Sequence, residues 1–303
     1  MTPPNLQEMQ KKIVVVYSLG GGNGKSEIAA NLAYCLAEQG MKAWIVDANL
    51  YAPTQDLIFG LPAAGASLSD FLISPAGSDI PYCDVTSKLA GKGSGRLLLT
   101  PSNRDDQDVR FSLQEILNRG TDFSHILPEA LFRGMHSTGA DILIIDTYPT
   151  FEQINEVWLG LTNVLLIISR INELDLENTR MFLRQGTVED ITNKLIVLNN
   201  IRLDKDRNVF HDIENQDVSE RLAEIRRQAA CVIQSDHKDK SSSDGPCDAV
   251  IYDEPILYSE KLSIFRQNMR KRDGLFIQKE PTDSFSVSIW NLAEYINAKT
   301  AAR

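Results

Sequence analysis

The residues able to do chemistry are concentrated in one glycine-rich run, GGGNGKS at positions 20–26. A lysine followed at once by a hydroxyl residue, at the end of such a run, suits the binding of a polyphosphate. Gly20, Gly21, Gly22 and Gly24 let successive backbone N–H groups turn toward phosphate oxygens with no Cβ in the way. Lys25 then brings a cation to the β- and γ-phosphates, and the Ser26 hydroxyl can ligate Mg²⁺. Two acids downstream complete the set: Asp47 closes the apolar run KAWIV, and Asp146 closes DILIID at 141–146. A carboxylate at the end of a strand, on the sheet edge that carries the phosphate loop, can hold a Mg²⁺-bound water or orient an attacking one. Asn49 can hydrogen-bond a water but cannot take its proton.

These groups need a scaffold, and the pattern supplies one. Ile13–Tyr17 is an unbroken apolar or aromatic run, the glycine loop follows, and Glu27–Gln39 has helical spacing through Ile28, Leu32 and Leu36, with Gly40 as a left-handed cap. The strand Lys42–Val46 comes next, giving β–loop–α–β in about forty residues, the signature of a parallel sheet with right-handed crossovers. Lys25 serves phosphates rather than the core, so it is expected to be an exposed loop residue of small consequence for stability.

The loop misses the plain G-x-x-x-x-G-K-[ST] spacing by one residue, because Leu19 stands where the first glycine belongs. What remains resembles the deviant Walker A loop of the MinD and ParA ATPases, K-G-G-x-G-K-[ST]. Gly20 occupies the place of that family's signature lysine, which in the family crosses a dimer interface to the partner's nucleotide. VDANLYAP at 46–53 and SLSDFL at 67–72 resemble further family stretches, with Asn49 replacing the second acid of D-x-D, and DILIIDTYP at 141–149 resembles its Walker B strand, with Tyr148 in place of a proline. The resemblance implies a doubly wound α/β P-loop NTPase domain with a mostly parallel sheet flanked by helices, ATP and Mg²⁺ as cofactors, and a nucleotide-gated homodimer. It makes Gly21, Gly22, Asn23, Gly24, Lys25, Ser26 and Glu27 the nucleotide-binding run, Ser26, Asp47 and Asp146 the metal side, and Lys25, Asp47 and Asn49 the catalytic candidates. It also places an adenine-reading asparagine at Asn199, or at Asn200 one residue on, and Pro255 where the family closes over the base. Family members position cellular cargo, so a protein partner of a positioning or assembly system is implied.

Composition narrows the context. The 303 residues are 43% hydrophobic and 24% charged, enough for a sizeable core, and the net charge of −10 argues against a surface that coats nucleic acid or anionic lipid generally. Cys35, Cys83, Cys231 and Cys247 make no C-x-x-C pair, so neither a zinc site nor a disulfide framework is indicated, and a reducing cytoplasm fits. No apolar leader region opens the chain, and no stretch approaches the ~18 apolar residues of a membrane span.

The remaining elements read in order. Residues 1–12 form a tail and 13–303 one domain. Residues 74–95, with Pro75, Pro81 and several Gly and Ser, read as a surface excursion. Arg96–Thr100 is a strand; 105–119 and 123–137 are amphipathic helices that place His125 and His136 at the surface. Asn163–Ser169 and Lys194–Asn199 are buried strands around a helix near 174–185, and 206–230 is charged and helical late. Residues 235–248 read as a flexible loop, Ala249–Tyr252 as the last strand, 257–272 as a helix ending in Arg266, Arg270, Lys271 and Arg272, and 284–298 as a closing helix. Asp70 reads as a helix N-terminal acid. Three other classes share part of the pattern: a bacterial tyrosine kinase, which would end in a tyrosine cluster; an iron-protein-type reductase, which needs cluster cysteines; and an ATP-binding scaffold of low turnover, to which Gly20 and Asn49 both point.

Overall fold

The apolar runs of the sequence become the middle of one sheet. The computed structural model describes residues 12–62, 65–75, 79–89, 95–104, 106–149, 153–202, 218–234, 248–267 and 274–301. Its strands are β1 Lys12–Tyr17, β2 Lys42–Ala48, β3 Cys83–Asp84, β4 Arg96–Thr100, β5 Ile142–Thr147, β6 Val164–Ser169, β7 Lys194–Ile201, β8 Val250–Ile251 and β9 Ile256–Leu257. They lie in the order β3-β4-β2-β5-β1-β6-β7-β8, with β9 also on β7. Every pairing is parallel except β3 with β4.

Helices cover both faces. In chain order they are α1 Lys25–Glu38, α2 Gln55–Ile58, α3 Leu68–Ile73, α4 Gln107–Asn118, α5 Ile126–Thr138, α6 Gln153–Leu161, α7 Glu173–Leu183, α8 Gly186–Glu189, α9 Val218–Gln234, α10 Glu260–Gln267, α11 Phe276–Lys279 and α12 Ser284–Ala301. Alternation along β1 assigns the faces: Ile13, Val15 and Tyr17 join the core beneath α5, α6 and α7, while Val14 and Val16 join the core beneath α1 and α12. Phe285, Ile289, Leu292 and Ile296 of α12 are all buried there, as their spacing predicts. A close approach fixes α5 on the other face, since a Cβ on Gly134 would lie 2.6 Å from the buried Trp44 ring.

The structure amends the sequence reading at the sheet margins. Strand β1 starts at Lys12, inside the stretch read as a tail, and residues 1–11 lie outside the described residues. Part of the 74–95 excursion pairs with the sheet as β3, and β9 was not expected at all. Residues 206–217, the loop at 235–247, and Arg270, Lys271 and Arg272 lie outside the described residues. Gly40 takes the expected positive φ of 95°, Asp70 closes a capping box with Ser67, and His125 and His136 are exposed. Among the described residues no helix is long and apolar enough to cross a membrane.

Candidate functional site

The carboxyl ends of β1, β2 and β5 meet at one sheet edge because their registers are fixed: Val16 pairs with Asp146, and Asp146 pairs in turn with Asp47. Loops leaving this edge, where β1 sits between β5 and β6, converge on the kind of crevice in which open α/β sheets hold their ligands. The loop after β1 is built by two left-handed glycines, Gly22 at φ 75° and Gly24 at φ 85°. Gly24 caps α1, and the first helical bond runs from Ile28 N to Gly24 O, so the N–H groups of Lys25, Ser26 and Glu27 have no acceptor within the helix. Gly21 and Gly22 are exposed. Gly20 is crowded instead, for a Cβ there would lie 3.1 Å from Asn23 Nδ2 and 3.4 Å from Asp175 Oδ1.

Lys25 corrects the sequence reading. It is only 6% exposed, packed inside the crevice rather than waving over it. Burial lowers its pKa, and the Asp146 charge partly offsets that. The two carboxylates are buried completely, and both pKa values are raised. For Asp47 the rise is large; burial comes first and the charge of Asp146 second, against three backbone N–H bonds. For Asp146 burial is opposed by Lys25 and by the side chains of Ser26 and Gln55.

The two acids have different surroundings. Asp47 Oδ1 accepts from Asn49 N at 3.2 Å, and Oδ2 accepts from Thr54 N and Gln55 N at 2.9 Å each, so its carboxylate organises the loop after β2 and caps α2. Asp146 Oδ2 accepts from Gln55 Nε2 at 2.8 Å, whereas Oδ1 is buried without a hydrogen-bond partner. Asn49 folds into its own turn, its Oδ1 accepting from Ala52 N at 3.3 Å, which leaves the amide NH₂ as the end able to meet a water.

Gln55 is the residue that sequence reasoning missed. Fully buried, it donates from Nε2 to both Ser26 O at 3.0 Å and Asp146 Oδ2, joining all three loops of the site. No spacing rule announces it; a buried amide contacting a residue 91 positions away leaves only a polar letter after Pro53 and Thr54. A ring contact between Tyr51 and Tyr148, centroids 4.8 Å apart, adds a second link between the loops after β2 and β5.

The residues expected to border a base are set by β7. Asn199 Nδ2 donates to Asn23 O at 2.7 Å, while Asn200 is exposed with φ 64°, so only Asn199 touches the phosphate loop. Ile256 pairs with Asn199, which sets the buried Pro255 one residue from that register position. The residues present fit a nucleotide with Mg²⁺. Asn23 Oδ1, Thr54 Oγ1, Gln55 Oε1 and Asp146 Oδ1 are buried polar atoms lacking partners at this one edge, and buried groups of that kind are expected to have one. Ser26 with one or two carboxylates is also an ordinary Mg²⁺ donor set when phosphates supply the rest.

Comparison with known proteins points the same way. A family model described as an AAA domain matches residues 11–205. An iron-sulfur cluster carrier protein of Pseudomonas fragi is 51% identical over 51 residues, 17% of this chain and 18% of that protein. An uncharacterized ATP-binding protein of Methanocaldococcus jannaschii is 25% identical over 167 residues, 50% of this chain and 63% of the relative. The chain thus spans less than two thirds of either. Among solved structures, the septum site-determining protein MinD of Pyrococcus horikoshii, complexed with Mg-ADP, matches with a TM-score of 0.62 at 16% identity, over 94% of this chain and 96% of that one. At that identity the likeness establishes the fold alone, a mostly parallel sheet flanked by helices as in that MinD.

Proposed function

The chain belongs to the AAA domain family, its model covering residues 11–205, and on that footing we propose that it is an ATP-binding switch of the MinD/ParA kind with weak hydrolysis. The observation that carries this reading is the buried triad of Lys25, Asp47 and Asp146 under a glycine loop, with Asp146 Oδ1 unpartnered. In this reading the backbone of Gly21, Gly22, Asn23 and Gly24 wraps the phosphates and Lys25 neutralises them. Ser26 and Asp146 would hold the metal, with Asp47 keeping the loop after β2 in place beside them. Bound Mg²⁺ would neutralise charge between the β- and γ-phosphates. Asn199 and Pro255 border the base. Asn49 orients a water without accepting its proton, which makes turnover slow.

The biological role in this proposal is that of a cytoplasmic homodimer that engages a protein partner in spatial positioning or assembly. The name of the MinD neighbour, septum site-determining protein, supports it as analogy of fold. A second reading, an ATP-binding scaffold that scarcely hydrolyses, is favoured by Asn49, whose Oδ1 is taken by Ala52 N, and by Gly20. Cluster carriage, named for the Pseudomonas fragi relative, is not proposed, because the four cysteines here form no C-x-x-C pair. Phosphate release measured alongside light scattering, with ATP and Mg²⁺, separates the readings. Turnover with dimerisation supports the switch, binding and dimerisation without turnover supports the scaffold, and label transferred to tyrosine supports a kinase instead.

A further inference from the structure

We propose that Arg266, on α10, is a ligand of the nucleotide's phosphates, and that its ion pair with Glu27 is the contact it gives up for them. The inference rests on the nucleotide reading above and adds an element to it that lies outside the glycine loop, the strand-end acids and the base-side residues.

The argument begins with a charge of the wrong sign. Glu27 stands in the first turn of α1, where the free N–H groups and the helix dipole favour an anion. Its side chain is buried at 4% exposure, with Oε1 accepting from Asn31 Nδ2 at 3.2 Å. A buried carboxylate there suits the helix while no phosphate is present, but it opposes a polyphosphate entering the same field. Glu27, Asp47 and Asp146 are three buried carboxylates about one loop, and Lys25 is one cation. Further positive charge beside the loop, added to that of Lys25 and Mg²⁺, would favour a bound polyanion.

Arg266 is in that position. Its Nη2 lies 3.4 Å from the point where a Cβ on Gly24 would sit, and Asn199 Nδ2 lies 2.7 Å from the same point. The guanidinium therefore rests against the backbone of the phosphate loop, beside the asparagine that already bonds it. Its Nε is 3.6 Å from Glu27 Oε2, longer than a hydrogen bond, so the pair is held by charge rather than by a directed bond. The Arg266 side chain is 38% exposed, leaving a solvent-facing side. A guanidinium carries five N–H donors in a planar fork that matches phosphate oxygens. It can swing from Glu27 to phosphate without leaving the loop.

The carrier helix is seated independently of the loop. In α10 Leu262 is buried and Phe265 makes a ring contact with Phe276 at 5.5 Å. Leu262 N donates to Ser259 Oγ at 3.0 Å and Lys261 pairs with Glu280 at 2.6 Å, so Arg266 reaches toward the loop from a fixed base.

The test is a fluorescence titration of the full chain with N-methylanthraniloyl-ADP and Mg²⁺. Wild type is compared with Arg266→Ala, Arg266→Lys, Glu27→Gln and the Arg266→Ala/Glu27→Gln double variant, and the denaturation midpoint of each is read without nucleotide. Loss of a charge-assisted contact to phosphate is expected to weaken binding by about 10- to 100-fold in Arg266→Ala. Arg266→Lys recovers part of the loss. In the Glu27→Gln background the Arg266→Ala loss is larger, because Arg266 there has no ion pair to give up for the phosphates, while the midpoints stay close together. Wild-type affinity in Arg266→Ala, or a loss in the Glu27→Gln background no larger than in the wild-type background, overturns the inference while leaving the nucleotide site standing. Failure of the wild type itself to bind overturns the nucleotide reading and this one with it.

Discussion

Replacing Gln55 tests whether the three loops of the site are joined as the structure joins them. Gln55→Leu keeps most of the side-chain volume and removes both bonds from Nε2, one to the Ser26 carbonyl and one to the Asp146 carboxylate. A neutral bond contributes about 1 kcal/mol and one to a charged group about 1.5–3 kcal/mol, and Gln55 is completely buried, so no water stands ready to replace them. The nucleotide-free variant is expected to lose about 2–4 kcal/mol in urea denaturation, with an unchanged m-value. Gln55→Glu is the pH control. Burial already raises the pKa values of Asp47 and Asp146, each also shifted upward or held by the charges around it. A carboxyl raised in the folded state binds its proton more tightly there than in the unfolded chain. Its contribution to stability is therefore complete below the ordinary value near 4 and is lost as pH rises through the raised value. The nucleotide-free wild type is expected to weaken as pH climbs from about 4 through the raised values, and Gln55→Glu, which adds a further carboxyl, to weaken more steeply over the same range. A Gln55→Leu variant as stable as wild type, or a Gln55→Glu variant with the wild-type pH slope, would refute the bridging role.

Three further outcomes follow from the same geometry. Asn49→Asp supplies a proton acceptor where the present amide only donates, and is expected to speed ATP hydrolysis by roughly 10²–10⁴ with little change in affinity; a phosphate-release rate equal to wild type contradicts the role given to Asn49. Gly20→Lys restores the family's missing charge, at the cost of displacing Asn23 by a few tenths of an ångström, and is expected to tighten ATP-dependent association in sedimentation; an unchanged monomer–dimer balance means that the chain does not use the family's face-to-face dimer. Gly134→Ala drives a methyl to 2.6 Å from the Trp44 ring and is expected to cost about 1–3 kcal/mol, read by denaturation with nucleotide affinity as the control; neutrality would show that α5 is not so tightly seated.

The elements legible in the sequence were those whose physics is local. Runs such as RLLLT, and the alternation of VVV between Ile13 and Tyr17, give parallel central strands because both faces are covered. The glycine loop and the acids ending β2 and β5 were legible too, since strand, loop and helix follow one another along the chain. Strands β3 and β9 were not, because two residues carry no period; their pairing comes from partners already in the sheet. Lys25 was misjudged as exposed because burial of a loop residue depends on what folds over it, here the strand edge and the loop holding Gln55. Gln55 itself was silent, and so was the consumption of Asp47 by three backbone N–H groups, for both are decided by the course of the loop from 49 to 55 rather than by residue type.

The most direct test of the central claim is calorimetric titration of ATP, with Mg²⁺ present, into wild type and into Lys25→Gln, which is one atom shorter and removes the charge. Circular dichroism of both proteins checks that each is folded at the temperature used, because Lys25 is buried beside Asp146 and its loss removes a counter-charge. The account predicts one saturable site per chain in wild type, dependent on Mg²⁺, and an affinity lower by at least about 10-fold in the folded variant. No heat of binding in wild type, or equal binding by the two proteins, would contradict it.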